Sequence, residues 1–137
     1  MSKIHWLGAG LSAIPGLKML IENDHSVIVY NRTVKKASDA LLGVKGNYQI
    51  VEFSLEAIKK NATAGDVIVS MLPGNFHVPV AELSLSLGAH FVSSSYISDE
   101  MRMLHEESLK KNLCLVNEVG LDPGIDHSMS HALVEDY

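Results

Sequence analysis

GAGLSA, from Gly8 to Ala13, has the residue types and spacing of a turn that holds phosphate. The pattern is G-x-G-x-x-A, a variant of the dinucleotide fingerprint. Gly8 would permit the tight turn, Gly10 would let backbone approach a pyrophosphate, and Ala13 would keep the following helix close to the sheet. A helix that starts there offers free N–H groups and a partial positive charge to an anion. Pro15 falls in its first turn, where a missing N–H does little harm. The motif alone also fits a plain glycine turn with no ligand. Its weight comes from the strand-like run before it and the helical run after it.

The second group is YNRT, Tyr30 to Thr33. A site for NAD usually carries an Asp or Glu here, to hold the ribose 2′-OH. Asn31, Arg32 and Thr33 stand in its place. A carboxylate would repel a 2′-phosphate, whereas a guanidinium presents a planar fork of donors that matches one. Thr33 adds a hydroxyl and a candidate helix N-cap, and Lys35 and Lys36 add positive charge. The reading favours NADP(H) over NAD(H), and the missing acid counts against an adenosyl-methionine site.

Three more segments follow strand-like runs: LPGNFH (72–77), SSSYIS (93–98) and NEVGLDPGIDH (117–127). Ligands of open α/β sheets lie beyond the carboxyl ends of the strands, where all three would fall. Ser93, Ser94, Ser95 and Tyr96 can hydrogen-bond a polar substrate, and Asp122 and Asp126 can meet an amine or imine. Pro73 can shape a wall beside a cofactor. His127 and His131 are four residues apart beside Asp126, a spacing that can bind zinc. With no H-E-x-x-H motif and no cysteine partner, no metal site is expected. His77 is the weaker site candidate among the other histidines; His5, His25, His90 and His105 read as structural or surface residues.

The elements that must position these groups alternate. Strands are expected at Ile4–Gly8, Ser26–Asn31, Tyr48–Phe53, Asp66–Leu72, 89–95 and 113–120. The second and fourth are nearly all apolar, the mark of strands buried on both faces. Between them run helical stretches after Pro15, after Thr33 with a stop at Gly43, after Ser54, over Phe76–Leu87, and over 98–112 as one amphipathic helix capped by Ser98. Another helix is expected from Gly124 towards Tyr137. This alternation predicts an α/β, doubly wound parallel sheet of about six strands, the Rossmann NAD(P)-binding fold, with residues 1–137 as one dinucleotide-binding domain.

Composition agrees. The chain has 137 residues, 47% of them hydrophobic, enough for one core. A net charge of −5 argues against generic nucleic-acid binding, though a few basic residues can still converge on one phosphate. The single cysteine, Cys114, excludes an intrachain disulfide and reads as a small core residue on a strand. No run approaches the roughly 18 apolar residues of a membrane span, and no targeting segment is visible. The expected place is soluble and reducing, the cytoplasm.

The chain resembles the N-terminal cofactor domain of the saccharopine dehydrogenases, especially the NADP-dependent, glutamate-forming branch. The resemblance is carried by GAGLSAIP, YNRT, MLPGNFH, SSSYIS and above all NEVGLDPGIDH, and it covers nearly the whole chain. It implies that the amino group of glutamate condenses with aminoadipate semialdehyde, and that NADPH reduces the imine to saccharopine. It implies that Leu11, Ser12 and Ala13 line the pyrophosphate, and that Arg32 and Thr33 hold the 2′-phosphate. Leu72, Pro73 and Phe76 would flank the nicotinamide. Ser95, Tyr96 and Asp122 would contact the amino-acid substrate, with Asp122 orienting or charging its nitrogen. Gly74 and Asn75 depart from the bulkier pair expected before Phe76. The resemblance further implies a second, substrate-binding and dimerising domain that this sequence lacks, so that the chain is a cofactor domain without turnover of its own and exposes apolar surface suited to a homodimer. Two other readings are a stand-alone nucleotide-binding regulatory module, which would need neither SSSYIS nor GLDPGIDH, and a related dehydrogenase for another amino-acid or polyamine imine.

Overall fold

The structure, a computed structural model, describes residues 2–136. Six strands form one parallel sheet: β1 (Ile4–Leu7), β2 (Val27–Asn31), β3 (Tyr48–Glu52), β4 (Val67–Ser70), β5 (His90–Ser93) and β6 (Leu115–Val116). Their order is β3-β2-β1-β4-β5-β6, so the chain winds outward from β1 in both directions. That is the dinucleotide-binding order, with a switch point between β1 and β4. The helices are α1 (Ile14–Glu22), α2 (Val34–Ala40), α3 (Leu55–Asn61), α4 (His77–Leu87), α5 (Asp99–Met103), α6 (His105–Lys110) and α7 (Ile125–Glu135). Among the described residues no helix is long and apolar enough to cross a membrane.

Strand periodicity divides the core in two. Trp6, Val27 and Val29 point to one face and pack with Leu17, Ile21, Ala37 and Leu41 of α1, α2 and the turn after it. Leu7, Ile28 and Tyr30 point to the other and pack with Ile58, Val80, Ala81, Phe91 and Met101. Covering both faces is why β2 carries no polar residue before Asn31.

Register brings the strand ends together. Leu7 pairs with Tyr30 and Ser70, and Ser70 pairs with Ser93. Gly8, Asn31, Met71 and Ser94 therefore leave the sheet side by side. The opposite edge is closed by a buried network. Tyr30 O–H donates to His5 Nδ1 (3.0 Å), and His5 Nε2–H donates to Asp66 Oδ2 (3.0 Å). Asp66 also accepts from the backbone N–H of Lys3 and Thr63 and from the Thr63 hydroxyl.

Four expectations need correction. Cys114 is exposed and lies before β6, not in the core. β6 itself is only two residues long and pairs with β5 alone. The helix expected over 98–112 breaks into α5 and α6 at Leu104, which is half-buried against the core. α2 ends at Ala40, with Gly43 (φ 81°) closing the turn that follows. Ser54 and Ser98 do cap their helices, through Ala57 N–H and Met101 N–H. Tyr137 lies outside the described residues.

Burial alone would push the Asp66 carboxyl up, but the backbone donors of Lys3 and Thr63, with His5 and the Thr63 hydroxyl, outweigh it and hold it at about 2. Burial pushes the His5 imidazole down against the pull of Asp66. Both groups then bind fewer protons folded than unfolded. Their stabilisation is complete above the ordinary values of 6.5 and 3.8, and declines as pH falls, through His5 first and then through Asp66 towards about 2. Asp66→Ala is expected to lower unfolding free energy by about 3 kcal/mol in urea titration, because it orphans buried donors. It should also flatten the decline of stability below about pH 4; an unchanged acid slope would contradict the network.

Candidate active site

Gly8 takes φ 101°, and a Cβ there would stand 2.9 Å from the Met71 carbonyl oxygen. Only glycine fits both conditions. Its N–H donates to the Tyr30 carbonyl, and its own carbonyl accepts from the Trp6 indole. The turn then rises away from the sheet. A Cβ at Gly10 would meet nothing within 4 Å. Among the described residues, the amides of Gly10, Leu11 and Ser12 have no acceptor, so three successive N–H groups stand free before α1. Such a row is an anion cradle.

Beside it lies a cleft of about 310 Å³. Gly8, Ala9, Gly10 and Met71 form its floor, Arg32, Thr33 and Lys36 one rim, and Leu72, Pro73, Phe76 and Phe53 an apolar wall. Phe53 and Phe76 meet edge to face with ring centres 5.8 Å apart. Asn31 joins floor to rim: its Oδ1 accepts from Ala9 N–H (3.1 Å) and its Nδ2 donates to the Thr33 carbonyl (2.9 Å). Thr33 holds the N-cap position of α2, but its hydroxyl makes no capping bond and remains available to the cleft.

The polar loops adjoin this cleft. Ser94 Oγ lies 3.8 Å from the sulfur of Met71, which lines the cleft floor. Ser95 Oγ is 2.7 Å from His77 Nε2, on the residue that follows Phe76. Tyr96 O–H donates to Asp122 Oδ1 at 2.6 Å. That bond, more than any desolvation, pushes the phenol up to about 12. Tyr96 therefore stays protonated near neutral pH and serves as a donor, not a base. Glu118 fastens the two loops: its N–H donates to the Ser95 carbonyl and its carboxylate accepts from Ile97 N–H. Gly124 (φ 143°) lets the next turn close on Gly120, where a Cβ would collide with the Gly120 carbonyl. Asp126 accepts from Gly124 N–H, so part of its carboxylate is spent on this turn.

The model of the saccharopine dehydrogenase NADP binding domain matches residues 4–116. The chain belongs to this family. It is 38% identical over 127 residues to the Saccharomyces cerevisiae saccharopine dehydrogenase [NADP(+), L-glutamate-forming], covering 88% of this chain and 28% of that protein. It is 34% identical over 118 residues to the Arabidopsis thaliana alpha-aminoadipic semialdehyde synthase, covering 84% of this chain and 11% of that protein. The apo S. cerevisiae saccharopine dehydrogenase (L-Glu forming) structure superposes with a TM-score of 0.81 at 29% identity, over 99% of this chain and 31% of that one. The chain thus spans about a third or less of the relatives it matches.

As a saccharopine dehydrogenase NADP-binding domain, the chain takes NADP(H). The cleft suits it: free amides for the pyrophosphate, two cations and a hydroxyl on the rim, and no acid there. Gly8, Gly10, Asn31, Arg32, Thr33, Leu72, Pro73 and Phe76 all line the cleft. Leu11, 89% exposed, and Ser12 sit on the turn outside that lining; Leu11 has only its amide to offer, Ser12 its amide and its hydroxyl. Ala13 is buried against the sheet and acts by packing. Asn31 spends its amide on the protein, so it shapes the cleft. Of the two lysines Lys36 faces the rim, while Lys35 is paired with Asp39 on the outer side of α2. Phe53 is a wall residue that motif reading passes over; its place at the end of the third strand is the signal that points to it. Asp122 lies beyond the family match and beside Tyr96.

Arg32→Ala removes the forked donor. It is expected to weaken NADPH by about 10- to 100-fold, the effect of a lost hydrogen bond to a charged group, and to leave NADH nearly unchanged. Calorimetric titration of the variant reads both, and an equal loss for the two cofactors would count against 2′-phosphate recognition at this rim.

Proposed function

We propose that this chain is the cofactor domain of an NADP-dependent oxidoreductase for a CH–NH substrate, saccharopine, interconverted with L-glutamate and aminoadipate semialdehyde. The observation that carries the reading is the contact of the cofactor cleft with the Ser95, Tyr96 and Asp122 loops, through Met71 and through His77 beside Phe76. A module that only bound nucleotide would have no use for those loops. NADP(H) supplies the hydride donor or acceptor when bound. The chain's own residues do the rest. The amides of Gly10, Leu11 and Ser12 bind the pyrophosphate. Arg32, Thr33 and Lys36 hold the 2′-phosphate. Leu72, Pro73 and Phe76 exclude water from one side of the nicotinamide. Ser95 and Tyr96 hydrogen-bond the substrate. Asp122, steadied through one oxygen by Tyr96, presents the other to the substrate nitrogen and favours its cationic form.

The substrate loops supply hydroxyls and carboxylates, and saccharopine is itself rich in carboxylates. We place the basic residues that would bind them in the further sequence of the longer relatives, as a second domain that closes over this one. The exposed apolar residues Ile125, Met129 and Leu133, four apart on α7, support self-association into a homodimer. A clean monomer in light scattering at all concentrations would remove that part. We further propose the cytoplasm as the compartment, where the exposed Cys114 thiol would stay reduced.

The purified chain is expected to bind NADPH without measurable saccharopine turnover, and turnover by the chain alone would contradict the two-domain reading. In a full-length enzyme built on this domain, Asp122→Asn is expected to lower kcat by about 100-fold or more with the NADPH affinity unchanged. Unchanged turnover would remove Asp122 from the chemistry.

A further inference from the structure

His77 is 5% exposed, at the first position of α4, with each ring nitrogen against a serine hydroxyl. Nδ1 is 2.9 Å from Ser70 Oγ, and Nε2 is 2.7 Å from Ser95 Oγ. The edge of Phe91 holds the ring in place, centroids 6.4 Å apart. Burial pushes the imidazole below its ordinary range, and the positive end of α4 acts in the same direction. The ring is therefore neutral, with one donor and one acceptor nitrogen.

Ser70 decides which is which. It is fully buried on β4, and among the described residues its hydroxyl has His77 Nδ1 as its one hydrogen-bond partner. A buried hydroxyl proton without an acceptor is strongly disfavoured, so Ser70 donates and Nδ1 accepts. The ring proton then lies on Nε2 and is donated to Ser95 Oγ. Ser95 is fixed on its other sides too: its N–H donates to Ser93 Oγ (3.1 Å) and its carbonyl accepts from Glu118 N–H (3.1 Å). Its hydroxyl accepts from within the protein, so its own proton is turned out of the protein.

We infer that His77 is a positioning residue that leaves the Ser95 hydroxyl proton free to donate toward the substrate, and so favours a carboxylate oxygen over an ammonium group at that point. The inference rests on the proposed contact of Ser95 with the substrate.

Long-range ¹H–¹⁵N correlation spectra of the histidine-labelled chain at neutral pH report the tautomer directly. A protonated Nε2 and a bare Nδ1 on His77 are expected. A protonated Nδ1, or rapid averaging of the two, would overturn the positioning role and leave the proposed function standing. The Ser95 amide signal is then followed in an NADP⁺-loaded full-length enzyme built on this domain, with millimolar saccharopine and, separately, with 1,4-diaminobutane. A shift with saccharopine and none with the diamine supports the selection. A diamine response of equal strength overturns it. The expected tautomer with no Ser95 response to saccharopine would overturn the substrate contact itself, and the selection with it. His77→Gln, whose amide N–H reaches the place of Nε2, is expected to keep the response. His77→Ala is expected to weaken it about tenfold, with NADPH binding showing that the variant is folded. An equal loss in both variants would show a purely structural histidine.

Discussion

The approach of the backbone at Gly8 to the Met71 carbonyl sets the rest of the site. It brings the end of β1 against the end of β4, at the point where the sheet reverses its winding. Any side chain at Gly8 would separate the two strand ends and lift the following turn. With glycine there, Trp6 and Tyr30 fasten the turn to the sheet, and the Gly10, Leu11 and Ser12 amides are left without acceptors. Asn31 extends the same arrangement sideways, carrying the position of the glycine turn to the Arg32–Thr33 rim through two hydrogen bonds. The glycine turn and the Arg32–Thr33 rim are thus tied together by direct hydrogen bonds.

The two ends of the sheet use similar chemistry to opposite purposes. At the amino end, Asp66 accepts four hydrogen bonds, His5 uses both nitrogens, and Tyr30 completes the chain. Every valence is spent inside the protein, and the result is a clamp on β1, β2 and β4. At the carboxyl end, Asp122 accepts one bond from Tyr96, and His77 Nε2 stands within hydrogen-bond distance of the Ser95 hydroxyl. Each of those chains stops at a half-buried or exposed group with capacity left over. The difference between a structural network and a binding site lies in that remainder, since aspartate, tyrosine, histidine and hydroxyls serve in both.

The fold was legible because its signals are local. β-branched runs alternate with helical ones, and the glycine turn and NRT lie at the ends of the first two strands. What escaped depends on three-dimensional phase and on edges. Lys35 and Lys36 are neighbours in sequence, but helix phase sends one to Asp39 and the other to the cleft. Among the described residues Cys114 and the short β6 lie at the edge of the sheet, so an apolar sequence there does not mean burial. The His77–Ser95 bond joins residues 18 apart that meet only because β4 and β5 pair.

The glycine turn and the Arg32–Thr33 rim are proposed to hold NADP(H) together. Titrating the purified chain with NADPH and, separately, with NADH in a calorimeter tests it most directly. Saturable binding of NADPH, with NADH weaker by tenfold or more, is the predicted result, tenfold being about 1.4 kcal/mol. Equal affinity for the two, or tighter NADH, would contradict it.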